Sequence, residues 1–235
     1  MGKGWKQAGM AANAAKKGAM ITKFAREIQV AAKLGGPDPD SNSRLRMAVD
    51  AARAASCPKD TIERAIKKGA GLLDDGNQIE ELSYEGFAPH QVGVIVECQT
   101  DNRNRTASEI RNIFNKKGGQ LGAEGSVQWM FDRVSMIEGS KAGVGDPDEE
   151  AIEAGANEVV HDEGDQYTFY GNPEDLKAIE TALTGRGWKV SKAEMSYKAK
   201  NATELTDDQK KDVLEFLELL DDNDDSHRIY ATFEQ

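Results

Sequence analysis

The stretch Thr100–Thr106, TDNRNRT, places two arginines, two asparagines, an aspartate and two threonines between the apolar run VGVIVEC and the amphipathic run ASEIRNIFNKKGG. A turn from strand to helix needs only one or two polar residues. Asp101 or Asn102 can cap the helix by accepting from its free N–H groups. Arg103 and Arg105 then stand at the positive end of the helix dipole, where cations are disfavoured. They make sense there if an anion docks, because helix N–H groups and guanidinium forks both bind oxyanions. The anion is either an external phosphate or a carboxylate of the protein's own acidic part. Asp101, Asn102, Arg103, Asn104, Arg105 and Thr106 are therefore a candidate anion or partner site.

Other chemistry is poorly represented. His90, His161 and His227 lie in different segments, and no Ser or Cys nucleophile motif or nucleotide fingerprint is present. Asp221, Asn223 and Asp225 in DDNDDS alternate as calcium ligands do. Ser226 and Thr232 stand where a calcium loop needs glycine and glutamate, so the stretch reads as a solvated acidic turn. Gly118, Gly119, Gly122 and Gly125 beside Lys116 and Lys117 read as a helix stop and a loop into a strand. No catalytic residue, metal or cofactor is expected.

The elements that position these residues change character along the chain. Residues 1–70 read as all-helical. Ile21, Phe24, Ala25, Ile28 and Ala31 share one helical face that ends at Gly35–Gly36. Leu45, Val49 and Ala52 mark a second helix, and a third begins at Pro58 and ends at Gly69. GAGLLDDGNQ is a linker by composition. Strands are expected at 81–86, 92–99 and 126–132, with a helix at 104–117. A full strand–helix–strand–strand–helix–strand series follows, through VSMIEG, 148–155, NEVVHD, QYTFYG, 173–185 and KVSKAEMSY, in the order of a ferredoxin-like sandwich. The chain closes with a helix at 207–220, opened by a Thr206/Gln209 capping box, and the strand HRIYATF. The closing helix and strand lack partners, as does the segment 81–132, so the two are expected to complete each other. The expected division is 1–75 helical, 76–133 plus 201–235 α/β, and 134–200 an inserted ferredoxin-like domain.

The charge follows the same division. The 235 residues carry a net charge of −11. Residues 1–70 hold 14 Lys and Arg against 6 Asp and Glu, a net of +8, and residues 71–235 hold 16 against 35, a net of −19. A basic head on an acidic body suits a polyanion partner. The candidate backbone contacts are Lys3, Lys6, Lys16, Lys17, Lys23 and Arg26, then Arg44, Arg46, Arg53, Lys67 and Lys68. Aromatic residues make up only 6%, so a base-stacking sheet is not indicated. No apolar run reaches the roughly 20 residues of a membrane span. Cys57 and Cys98 form no metal spacing or disulfide framework, and the cytoplasm is the simplest address.

TKFAREIQVAAKLGGPDPDSNSRLR, PKDTIERAIKKGAG, YEGFAP, VECQTDNRNRT, NKKGGQLGAEGSVQWMF and LLDDNDD together resemble the YebC/PmpR family, which includes the mitochondrial translational activator of cytochrome c oxidase. The resemblance implies an α+β fold: a helical N-terminal domain and two ferredoxin-like α/β domains, the third inserted into the second. It implies no catalysis. It implies a probable transcriptional regulator that binds DNA. The alternatives are a translation factor at the ribosome, binding RNA, or a protein-binding adaptor using the acidic body. With the resemblance added, an external phosphate is the favoured partner of Arg103 and Arg105. Two departures stand out. Members begin with a His-, Lys- and Arg-rich arm, whereas this chain keeps Trp5 but little of that charge. Members also have a Gly-rich turn after YEG, where this chain reads Ala88-Pro89-His90-Gln91.

Overall fold

In the computed structural model, residues 14–73 and 78–233 are described, with the side chains of 14–17 left aside. Three helices come first: α1 (Ala14–Gly35), α2 (Ser43–Ala54) and α3 (Lys59–Gly69). Their core is built from small and branched residues, among them Ile28, Ala31, Leu45, Val49, Ala52 and Ile62. Small faces let the helices approach closely. A Cβ on Gly69 would stand 2.2 Å from the carbonyl oxygen of Gln29 on α1, which leaves no room for any larger residue. Asn42 joins the first two helices. Its Oδ1 accepts from Leu45 N at 3.0 Å and caps α2, while its amide donates to the carbonyls of Ala31 and Gly36 at 2.8 and 2.9 Å. One buried side chain thus satisfies the backbone at the end of one helix and the start of the next.

The first sheet combines β1 (Glu80–Phe87), β2 (Gly93–Thr100), β3 (Gln120–Leu121) and β8 (Ser226–Ala231) in the order β3-β1-β2-β8. The pairings of β1 with β2 and β3, and of β2 with β8, are antiparallel. α4 (Arg103–Lys116) and α7 (Asp207–Asp221) cover one face and form its core with Val94, Val96, Ile110, Phe114, Phe216 and Leu220. Phe114 and Phe216 meet edge to face at 5.0 Å. The closing helix and strand do complete this sheet. Its third strand, however, is Gln120–Leu121 and not residues 126–132. Gln128–Met130 form a short 3-10 turn, and the next strand starts only at Phe131.

The second sheet contains β4 (Phe131–Ser140), β5 (Glu158–His161), β6 (Gln166–Gly171) and β7 (Lys189–Ala199) in the order β5-β6-β4-β7, the ferredoxin-like arrangement. α5 (Pro147–Ala154) and α6 (Leu176–Gly185) pack on it around Ile137, Phe169, Leu183 and Trp188. The chain divides into two compact units, Met1–Phe131 with Ala199–Gln235, and Asp132–Lys198. No described helix is long and apolar enough to cross a membrane.

Candidate nucleic-acid interface

β2 ends at Thr100 and α4 begins three residues later, so TDNRNRT forms the turn the alternation implies. Asn102 is the cap: its Oδ1 accepts from Arg105 N at 3.1 Å. Asp101 has a different task, accepting from the Arg105 guanidinium at 3.1 Å. The main partner of Arg105 is Asp225, whose two oxygens each lie 3.0 Å from Nη2. Arg105 thus sits on a carboxylate of the same chain, and the expectation of an external phosphate at this residue is corrected. Arg103 stays outward, 69% exposed, with Glu80 at 3.8 Å, and Asn104 is exposed beside it.

Asp225 corrects a second expectation. The DDNDDS stretch is not a fully solvated turn, because Asp225 is only 2% exposed. Its carboxylate accepts from the hydroxyls of Thr106 at 2.6 Å and Thr100 at 3.2 Å, and it pairs with Arg26 of α1 at 2.8 Å. Burial alone would raise the Asp225 pKa. The hydrogen bonds from Thr106 and Arg105, and the charges of Arg26 and Arg105, outweigh burial and hold it below the usual carboxylate range. Arg26 also donates to the carbonyl of Asp224, and Lys23 to that of Asp221. The acidic turn is therefore the counter-charge for α1.

Arg44 has a comparable place. It grips Glu27 with Nε–Oε1 at 2.8 Å and Nη2–Oε2 at 3.1 Å, and reaches Glu81 at 3.0 Å. Glu27 also meets Gln99 Nε2 at 2.7 Å and His227 Nε2 at 3.0 Å. Burial pushes the Glu27 pKa up, but the bonds to His227 and Arg44 win and place it well below the usual range. Lys23, Arg26 and Arg44, read from the sequence as backbone contacts, thus tie the helices to the first sheet. The physical reason is that they lie on the side of the helices facing the acidic residues of that sheet.

The remaining head candidates divide by position. Lys3 and Lys6 lie outside the described residues, as do the side chains of Lys16 and Lys17. Arg46 and Lys67 are exposed and have no side-chain hydrogen bond or ion pair among the described residues. Arg53 is 69% exposed and only loosely paired with Asp50 at 3.4 Å. Lys68 is half-buried on α3. Arg46 and Arg53 share one outward row of α2, two turns apart.

Sequence reading also missed Glu85. This residue is 2% exposed in β1, and its oxygens accept from the backbone N–H groups of Gly125, Val127 and Gln128 at 2.8, 3.0 and 3.3 Å, and from the Gln128 amide at 2.9 Å. It thereby shapes the glycine-rich loop after β3. A carboxylate inside a predicted strand was the available signal. Asp225 carried no comparable signal, since it is one of four aspartates in six residues.

The three histidines stay apart: His90 meets Asp212 at 2.9 Å, His161 the carbonyl of Gly164 at 2.7 Å, and His227 Glu27. No group of His, Cys, Asp and Glu among the described residues is arranged to hold a metal.

Comparison with known proteins agrees along the chain. The family model for the TACO1/YebC protein N-terminal domain matches residues 4–72, and that for the TACO1/YebC second and third domain matches 79–233. A probable transcriptional regulatory protein of Bdellovibrio bacteriovorus is 66% identical, with 99% of this chain and 100% of that protein covered. One from Pseudomonas syringae pv. tomato is 48% identical, with 98% of each covered. The crystal structure of a conserved hypothetical protein from Aquifex aeolicus is 40% identical and superposes with a TM-score of 0.83, covering 97% of this chain and 96% of that one. With both family models and relatives of nearly full length in agreement, the chain belongs to the TACO1/YebC family.

Proposed function

We propose that this protein is a non-enzymatic, cytoplasmic regulator of gene expression that binds nucleic acid, DNA in the first place, through the outward side of its helical head. The observation that carries this reading is the set of cations on α2 and α3. Arg46, Arg53 and Lys67 are exposed and take no part in the ion pairs that occupy Lys23, Arg26 and Arg44. By sequence, Lys68 and the amino-terminal lysines Lys3, Lys6, Lys16 and Lys17 are further candidates, of which Lys3 and Lys6 and the side chains of Lys16 and Lys17 lie outside the described residues. The names of the relatives, probable transcriptional regulatory proteins, support the regulator role. Phosphate contacts of this kind position a protein on a duplex without reading its sequence.

The test uses the full chain with fluorescently labelled DNA duplex and RNA at several salt concentrations. Affinity should fall steeply with salt, because each neutralised phosphate releases counterions. The triple change Arg46→Ala, Arg53→Ala and Lys67→Ala should weaken binding and lower the salt slope. Unchanged binding in that variant overturns the assignment of the head. Preference for RNA, with sedimentation alongside ribosomes on a sucrose gradient, would shift the role from transcription to translation.

A further inference from the structure

The acidic body pairs most of its own cations internally. Lys117 meets Glu215, Lys141 and Arg186 meet Glu150, Lys192 meets Glu194, Lys198 meets Glu158, and Arg228 meets Glu97. α4 departs from this pattern. Asn104, Ser108, Arg111, Asn112 and Asn115 fall on one outward arc of the helix, all exposed, and Lys116 is exposed at its end. Arg111, Asn112, Asn115 and Lys116 make no side-chain hydrogen bond or ion pair with any described residue. The one acid in the helix, Glu109, points to the side and accepts from Asn223 at 2.8 Å.

An ordinary solvated helix face mixes both signs of charge. α7 of the same sheet does so, with Asp208 and Lys211 paired at 3.1 Å and Asp207, Asp212 and Glu215 beside them. The α4 face has cations, amides and the Ser108 hydroxyl but no acid, in a segment of the chain whose net charge is −19. Lys116 complements the negative end of the helix dipole. Arg111, in the interior of the helix, has no such local use. Asparagine amides donate and accept together, and with arginine they suit phosphate oxygens and base edges. From Asn104 to Asn115 the arc runs about 16 Å, at the helical rise per residue, enough to meet several successive phosphates.

We propose that the outward face of α4, centred on Arg111, Asn112 and Asn115, is a second nucleic-acid contact surface, located on the acidic body and separate from the cations of the head. It rests on the reading that the protein binds nucleic acid. The arginine and amides of α4 grip the nucleic acid along its phosphate backbone.

The experiment measures binding of a labelled 20-base-pair DNA duplex and of a labelled 20-nucleotide RNA by the full chain. Four proteins are compared: the unaltered chain, Arg111→Ala with Lys116→Ala, Asn112→Ala with Asn115→Ala, and Lys189→Ala as a control. Lys189 is an exposed cation of the body, outside α4. The Arg111/Lys116 variant should bind about 5- to 20-fold more weakly, with a salt slope shallower by about 1–2. The asparagine variant should lose affinity without a change of slope, and Lys189→Ala should match the unaltered chain. Because none of the substituted side chains of α4 has a hydrogen-bonding partner, melting temperatures should stay level. Full affinity in both α4 variants, where the Arg46/Arg53/Lys67 variant is weakened, overturns this inference alone. An equal loss in Lys189→Ala overturns it as well, because net charge would then suffice. Absence of binding by the unaltered chain overturns this inference and the proposed function together.

Discussion

At the scale of single residues, Asp225 has the clearest consequences. It receives two hydroxyls and two guanidinium groups at a site nearly closed to water. Removing one partner of a buried pair leaves the other charges uncompensated, so Asp225→Ala should cost roughly 3 kcal/mol in denaturant unfolding. Arg105→Ala should lower the melting temperature and leave nucleic-acid affinity unchanged, since its fork is occupied within the chain. The pH dependence follows from the depressed carboxylates. Asp225 and Glu27 titrate below their unfolded values of about 3.9 and 4.3. Glu150 is held at about 2 by hydrogen bonds from Lys141 and Arg186. In each case the unfolded chain takes up its proton first as pH falls. Their stabilisation is therefore complete above about pH 5 and is lost as pH drops below 4 toward the folded-state pKa values. A plot of unfolding free energy against pH should be steep in that acid range, and Asp225→Asn should flatten it. A carboxylate of the acidic part was legible in the sequence as one possible partner of Arg105, but not which carboxylate. Composition shows that DDNDDS is acidic, but which aspartate is buried depends on Arg26, nearly 200 positions away.

At the scale of elements, what could be read was local. The Asn102 cap and the Thr206/Gln209 capping box depend on residues three apart, and both are present. What could not be read depended on tertiary partners. Residues 126–132 have the apolar content of a strand, with Val127 fully buried. The Glu85 carboxylate takes the N–H groups that a ladder would need, and the segment becomes a held loop. Glu85→Ala should accordingly destabilise the fold by about 2–3 kcal/mol, because three backbone donors lose their acceptor. The turn after β1 shows the opposite situation. His90 and Gln91 adopt φ of 62° and 63°, where side chains are strained and glycine is not. Gln91 is exposed, so Gln91→Gly should relieve strain and raise stability by up to about 1 kcal/mol in thermal or urea unfolding. A loss of stability there would show that the side chain contributes more than the left-handed backbone costs.

At the scale of the whole molecule, the basic head and acidic body were visible as charge counts, but their meaning differs from a simple division of labour. Part of the positive charge of the head binds the first sheet, and part of the acidic body carries an acid-free face on α4. We infer that residues 134–200 are an inserted folding domain, between the halves 76–133 and 201–235 of its host and after a helical domain at 1–75. The points where the chain leaves and re-enters the host support this. Lys200 N donates to the carbonyl of Met130 at 2.9 Å, so the two ends of the excursion lie side by side. A host whose insertion ends are adjacent can be closed by a short link without moving its strands. The segment beyond has a core of its own around Ile137, Phe169, Leu183 and Trp188. Replacing 134–200 with a short Gly/Ser linker should therefore leave cooperative unfolding of the host, with a smaller denaturant m-value in proportion to the surface removed. The isolated segment should fold by itself, as judged by dispersed amide resonances. Because the proposed contacts of the head and α4 are all retained, the shortened chain should bind nucleic acid within a few-fold of the full chain. Non-cooperative melting of the shortened chain would mean that the host depends on the insertion for its stability, and the boundary would have to be withdrawn. Cooperative unfolding with lost binding would instead locate part of the nucleic-acid surface on the inserted domain.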